Sequence, residues 1–334
     1  MSLYKLTNSN HKFSAFDCIQ SEVSILDNYL TSELPSLSGP LAETVEYVTS
    51  KSGKKIRPNI VFLIYGLIGS NNSIDDVLRV AQITELIHSA SLIHDDVIDD
   101  AQSRRGFESV SHKFGIKVAV ILGDFLFSQA SVKLGELSNP EIVKIYANVL
   151  AKLCEGEISQ AKDRYRFDNL NWETYLNKSN FKTASLFEAA CRATAIVNDL
   201  SQERIESISM YGAKLGLAFQ LIDDLLDFVG NPAETGKPLM GDIAHGIYTA
   251  PILFCLEDKE KEKYLKELLS NLPITESAQK SIREVLEVSG SFDKTNDYTK
   301  KLVQSAIDSL SGFPDNVYKS SLIQLAEFTI QRAY

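Results

Sequence analysis

Cysteine is scarce in this chain, and what there is carries no pattern. Cys18, Cys154, Cys191 and Cys255 stand far apart with no CxxC spacing. That excludes a disulfide framework or a thiolate zinc site and fits a reducing compartment, the cytoplasm. Glycine and proline are sparse too, 17 and 9 in 334 residues, which disfavours an all-β or loop-rich fold. Positive charge is the minority: 34 Lys and Arg against 44 Asp and Glu leave a formal net charge of −10. A nucleic-acid-coating surface is therefore excluded, although a local basic pocket for a small anion is not. No apolar run approaches the ~20 residues of a membrane span. The opening "MSLYKLTNSNHKFSAFD" lacks both the apolar core of a signal peptide and the arginines of a transit sequence.

What the chain has is helical periodicity. Hydrophobic residues make up 44% and charged residues 23%, and at this length roughly 75% of the unfolded surface can be buried. In "DDVLRVAQITELIHSASLIHDD" Val80, Ile83, Ile87, Ser91 and Leu92 follow helical spacing. "NPEIVKIYANVLAKLCEGEISQAKDRY" opens on a helix-start pair, and "SQERIESISMYGAKLGLAFQLIDDLLDFVG" opens on a serine with a glutamate close behind. Breakers fall at "SLSGP", "GSNNS", "SNP" and "GNPAETGKP", and no linker divides the chain. The pattern predicts one all-α domain over 1–334 with ten or more helices, closing on a C-terminal helical pair.

Two aspartate clusters stand out. Asp95, Asp96 and Asp99 have the spacing DDxxD, and "QLIDDLLDF" repeats it at Asp223, Asp224 and Asp227. Positions i and i+4 share a helix face, where like charges cost roughly 0.2–0.5 kcal/mol per pair. A single copy reads equally well as a solvated acidic face. Two copies in matching apolar frames, facing each other across a cleft, need cations. Hard oxygen donors without histidine or thiolate select Mg²⁺, or Mn²⁺, over zinc. Because Mg²⁺ completes its shell with water and substrate phosphate, the pattern points to a diphosphate between the clusters.

Basic residues accompany both clusters. Lys54, Lys55 and Arg57 in "SGKKIRP" lie near a helix start, a place suited to an anion. Arg104 and Arg105 follow the first cluster, and arginine forks suit phosphate. Lys182 and Thr183 sit in an otherwise apolar helix, and Lys237 lies in the loop after the second cluster. Taken singly, each is most simply a solvating surface charge.

With these motifs in order (GKxxRP, ExxHxxSLxHDDVxD, RRG, KT, GxxxGxAFQxxDDxLD, GK) the sequence resembles the trans-isoprenyl diphosphate synthases, the polyprenyl synthetase family, and in particular its long-chain branch. The resemblance runs over about 51–257, the expected catalytic core, and weakens in the C-terminal helices of about 258–334. It implies an isoprenoid-synthase-type helical bundle around a central cavity and a homodimer. It further implies a transferase that joins isopentenyl diphosphate to an allylic diphosphate and releases pyrophosphate. Carried over, the six aspartates hold Mg²⁺ on the allylic diphosphate. Lys54, Arg57, His88 and Arg105 bind isopentenyl diphosphate, and Arg104, Lys182, Thr183, Gln220 and Lys237 bind the allylic partner. Lys182, Thr183 and Gln220 are the catalytic candidates, the last two near the developing cation. Ser52 and Lys55 stand where the family usually has glycine and arginine, and Asp100 is an extra acid read as solvated. His94 and His245 are given no direct role in the site, only a supporting or structural one.

Ala90 and Ser91 lie one turn before Asp95, where short-chain members of the family carry a bulky aromatic. A turn of about 5.4 Å matches one isoprene unit, so two small residues leave the tail a way down. Leu86, Ile87, Ile83 and Thr84 follow, none aromatic, while the partner helix "VAVILGDFLFSQASVKL" carries Phe125 and Phe127, whose facing the sequence leaves open. The expected product is a long-chain polyprenyl diphosphate, hydrophobic and suited to a quinone side chain. Ordinary packing at a helix crossing is the other reading of the small pair. The alternatives are a geranylgeranyl diphosphate synthase, a terpene cyclase, a non-catalytic partner subunit, and a helical metal-binding structural protein. Loss of an aspartate motif would mark the partner subunit, and a mixed Asn/Ser/Glu second motif the cyclase; neither is present.

Overall fold

The computed structural model describes residues 15–34, 39–51, 53–69, 72–167, 170–230, 239–271 and 274–331. Helices run through them in the order α1 (Gln20–Asn28), α2 (Pro40–Ser50), α3 (Ile56–Ile68) and α4 (Ile74–Ile98). A two-residue hairpin follows, β1 (Ser103–Arg104) antiparallel to β2 (Phe107–Glu108). Then come α5 (Val110–Phe114), α6 (Ile116–Leu137), α7 (Pro140–Asp163), α8 (Trp172–Ser179), α9 (Ser185–Val197) and α10 (Gln202–Val229). The chain ends with α11 (Gly241–Ala244), α12 (Ala250–Leu256), α13 (Lys259–Ser270), α14 (Glu276–Val288), α15 (Ser291–Ser309) and α16 (Val317–Gln331). The all-α expectation of ten or more helices holds. Lys237 and Ser52 lie outside the described residues.

The helix starts follow local chemistry. Asn139 accepts from the backbone N–H of Glu141 and Ile142 at 3.0 and 3.2 Å, with Pro140 at the first helical position of α7. Ser73 caps α4 through the N–H of Asp75, and Asp75 and Asp76 in the first turn complement the helix dipole.

The fold comprises two compact units. The first is Met1–Ala147 with Ala189–Ser209 and Leu310–Gln324. In it α4 packs along α6 and against α3, burying Val80, Ile83, Leu86, Ile87 and Ala90. Burial of each large aliphatic side chain contributes about 1.5–3 kcal/mol. Gly123 on α6 leaves room for the His94 ring, which would lie 2.1 Å from any Cβ there. His94 also bonds the Val120 carbonyl at 3.1 Å and meets Phe127 edge-on. It therefore ties α4 to α6, the structural role expected of it. By length and composition α6 could cross a bilayer, a property the residue-by-residue reading of apolar runs missed because Asp124 and Lys117 interrupt them. Here its Ala119, Leu122, Leu126 and Ala130 are buried, while Ile116, Ile121 and Val132 are exposed.

The second unit is Asn148–Glu188, Met210–Ser309 and Leu325–Tyr334. Its core joins Phe228 at the end of α10 to Ile243, Ile252, Leu265, Ile282 and Leu286. This cluster anchors the end of α10 that carries the second aspartate motif.

Candidate active site

In the first unit α4 ends at Ile98, so Asp99 is the residue just beyond the helix; its N–H still bonds the Asp95 carbonyl at 2.9 Å. Asp95 is half-buried and Asp99 exposed, whereas Asp96 is only 4% exposed. Arg104 Nε donates to Asp96 Oδ1 at 2.9 Å, fixing the guanidinium from β1 beneath the cluster. The hairpin turns on Arg105 and Gly106, both at positive φ (55° and 80°), as a tight two-residue turn requires. Asp100 is exposed, in keeping with a solvated acid.

A basic group gathers in the same unit around the start of α3. Lys55 adopts a left-handed conformation ahead of the helix and pairs with Asp27 on α1. Arg57 Nη1 bonds His88 Nε2 at 3.1 Å. Gly53 makes room for Arg105, whose guanidinium would lie 2.5 Å from a Cβ at position 53. Lys54 is exposed, and its carbonyl accepts from Asn59 at 3.3 Å. Burial, and then the charges of Arg57, Arg105 and Arg104, hold His88 well below its ordinary value, so it is neutral at pH 7.

Along α4, Ala90 is fully buried and Ser91 half-buried, its hydroxyl on the His88 carbonyl at 2.9 Å. Residues Asp95, Ser91, His88 and Thr84 share one stripe by helical spacing. Thr84 meets the buried Tyr146 phenol at 2.8 Å, about 16 Å down the helix axis from Asp95.

In the second unit, Lys182 and Thr183 lie in a π-helical turn, Asn180–Ala184, rather than in a regular helix. Such one-turn bulges recur at functional sites. Two glycines admit it. A Cβ at Gly216 of α10 would come within 2.6 Å of Ala184 Cα, and one at Gly156 of α7 within 2.9 Å of Lys182 Cγ. Lys182 pairs with Glu157, one residue after Gly156. Thr183 Oγ1 donates to Gln220 Oε1 at 2.6 Å, and Gln220 Nε2 donates to Asp224 Oδ1 at 2.8 Å. Asp224 Oδ2 accepts from Tyr175 at 2.5 Å and from the Ala250 N–H at 3.3 Å. Asp224 is 1% exposed, and burial, with the charge of Asp242, pushes its carboxyl up to about 7. Asp223 is exposed, and the half-buried Asp227 accepts from the N–H of Gly241 and Asp242 at 3.0 and 3.3 Å.

The two motifs thus share one arrangement. The middle aspartate turns inward and holds a neighbouring side chain; the first and last face outward or lie half-buried. This follows from helix geometry, since i and i+4 share a face and i+1 is turned about 100° away. Residues 39–288 match the polyprenyl synthetase family. The chain belongs to that family. A prenyl transferase of Porphyra purpurea is 37% identical over 96% of this chain and 98% of its own length. Solanesyl diphosphate synthase 2 of Arabidopsis thaliana, a chloroplastic protein, is 33% identical over 95% and 76%. Among solved structures, a polyprenyl synthase of Caulobacter crescentus complexed with calcium and isoprenyl diphosphate superposes with a TM-score of 0.87. It is 29% identical, covering 96% of this chain and 97% of that one. As a polyprenyl synthetase family member this chain is an enzyme, a prenyltransferase of isoprenoid chemistry.

Three residues of this polyprenyl synthetase escaped the sequence reading: Glu85, Tyr175 and Asp242. Glu85 stands in the quoted ExxH motif, but nothing in the spacing shows that it lies close to Lys55, Arg57 and Arg105. Tyr175 sits in α8, seven residues before Lys182, in an ordinary amphipathic stretch. Asp242 follows the undescribed 231–238 and comes to Asp227 only through the fold of the chain.

Proposed function

We propose that the enzyme condenses isopentenyl diphosphate head-to-tail with an allylic diphosphate. The product is a long-chain all-trans polyprenyl diphosphate, a quinone side-chain precursor, with pyrophosphate released. The observation that carries the reading is the shared arrangement of the two aspartate motifs, each with a cation or proton donor held by its inward carboxylate. The long-chain name of the solanesyl relative supports the product class over geranylgeranyl.

The donor set fits Mg²⁺, with Mn²⁺ as a substitute. The candidate donors are hard carboxylates with no histidine or thiolate among them. That suits an ion which takes one or two carboxylates and fills its shell with water and substrate phosphate. Asp95, Asp99, Asp223 and Asp227 would hold the ion, while Asp96 and Asp224 hold Arg104 and Gln220. Bound Mg²⁺ supplies stabilisation of the charge that develops on the leaving pyrophosphate. Arg104, Lys182 and Lys237 add to it from the chain. Thr183 and Gln220 offer oxygen lone pairs to the allylic cation. Lys54, Arg57 and Arg105 bind the diphosphate of isopentenyl diphosphate, with neutral His88 as a hydrogen-bond donor. The isopentenyl double bond attacks the allylic carbon, and a proton passes to the departing pyrophosphate, so no protein nucleophile is needed. Water must be excluded, since it would trap the cation.

The exposed Ile121 and Val132 of α6 lie about three turns apart on one side of the helix and form an apolar stripe that suits a second copy of the chain, since homodimer interfaces are the more apolar kind. Four free thiols, with Cys154 exposed, support a cytoplasmic location. The test is incubation of purified protein with isopentenyl diphosphate and each allylic primer, with and without Mg²⁺, followed by chromatography of the dephosphorylated products. Metal-dependent chains longer than geranylgeranyl are expected; no turnover with any primer overturns the reading.

A further inference from the structure

A buried carboxylate lies at the basic group and has no part in the mechanism above. Glu85 is 4% exposed, and its Oε2 is buried with no hydrogen-bond partner among the described residues. It stands on α4 one turn before His88, the residue that bonds Arg57. The charges bearing on it come from every side of the group: Arg57 and Lys55 at the start of α3, Arg105 on the hairpin, and Asp27 on α1. The three cations favour its ionised form; Asp27, held by Lys55, opposes it.

An unpaired buried carboxylate is costly, and here its only compensation is the field of cations that it does not touch. A diphosphate brought to the same cations would oppose Glu85 directly, because two anions would then share one set of positive charges. The energetically open route is for the carboxylate to take up a proton as the diphosphate arrives. We propose that Glu85 is a positioning residue of the isopentenyl diphosphate site. It acts as the internal counter-charge of Arg57, Lys55 and Arg105 in the empty enzyme and is neutralised by one proton from solvent when the diphosphate binds. The inference rests on the assignment of this basic group to isopentenyl diphosphate. The step makes and breaks no bond other than the new O–H, and its proton comes from water or buffer.

Burial lifts the Glu85 carboxyl to about 7, further than the three cations lower it, so the group is ionised in the empty enzyme above that pH. His88 stays neutral well above its depressed value, and the second ionisation of a phosphate, near pH 6, is complete. Between pH 7.5 and 8.5 the coupling therefore belongs to Glu85 alone.

The experiment is calorimetric titration of the full-length enzyme with isopentenyl diphosphate, without Mg²⁺. It is run from pH 7.5 to 8.5 in two buffers of different ionisation enthalpy, on the wild type and on Glu85→Gln. The wild type is expected to take up close to one proton per site, and its affinity to weaken up to about tenfold over that pH unit. Glu85→Gln should take up none, and its affinity should stay flat. A Glu85→Asp variant, which keeps the charge, should restore the uptake. If wild type and Glu85→Gln bind with the same proton count and the same pH slope, the inference is wrong and Glu85 is a packing residue only. If the wild type binds no isopentenyl diphosphate and also fails to turn over, the assignment of the site falls, and the inference with it.

Discussion

At the residue scale each aspartate motif has one buried middle carboxylate, Asp96 or Asp224, that holds a neighbouring side chain. Asp224 accepts three hydrogen bonds, and an amide at that position would present a donor to Gln220 Nε2. Asp224→Asn should therefore lower stability by about 1–3 kcal/mol, read as a shifted urea midpoint. Asp223→Asn should leave the midpoint unchanged while lowering kcat by about two to three orders of magnitude and raising the Mg²⁺ needed for half-maximal rate. Equal effects on stability would refute the division. Glu85 makes a second residue-scale prediction. Its folded value of about 7 lies above the ordinary 4.5, so between them the folded chain keeps a proton that the unfolded chain has lost. Its contribution is fully present below pH 4.5 and is lost as pH rises through about 7, a change of about 3 kcal/mol. Thermal unfolding at pH 5 and pH 8 should show a fall for the wild type that Glu85→Gln reduces; parallel curves would count against a buried, titrating Glu85.

At the scale of elements, α4 carries the first motif at one end and the small pair Ala90 and Ser91 a turn before it. Ala90 is fully buried, so Ala90→Phe places a ring either in the tail's path or into the core. If the tail passes there, the variant should make shorter products, read by chromatography after dephosphorylation. An unchanged product length would mean that the pair serves packing alone. The π turn Asn180–Ala184 is the element that periodicity did not disclose. Its sequence, NFKTA, reads as regular helix, and the close packing that accompanies the π turn, Gly216 of α10 on Ala184 and Gly156 of α7 on Lys182, joins residues far apart in the chain. The hairpin bearing Arg104 and Arg105 was equally hidden. Two-residue strands leave no alternation to detect, and arginine at positive φ is not a usual turn signal.

For the whole molecule, the exposed face of α6 sets the expectation for assembly. Ile121 is 62% exposed in the single chain. If a second copy covers it, Ile121→Glu should convert a dimer into a monomer in sedimentation equilibrium, and a wild type that sediments as a monomer would remove the proposal. The sequence by itself determined the helical class, the family, and the residue types of the candidate site, because periodicity, breakers and ordered motifs are local properties of the chain. The two outward aspartates of each motif were also legible, since helix geometry fixes the i, i+4 face wherever the helix lies. Only the tertiary structure decided which carboxylates are buried and which side chains they hold. It brought Tyr175 to Asp224 across 49 residues and set Glu85 in the field of cations drawn from two separate elements, the start of α3 and the hairpin. Burial and charge are properties of what surrounds a group, and those surroundings are supplied by parts of the chain far away in sequence.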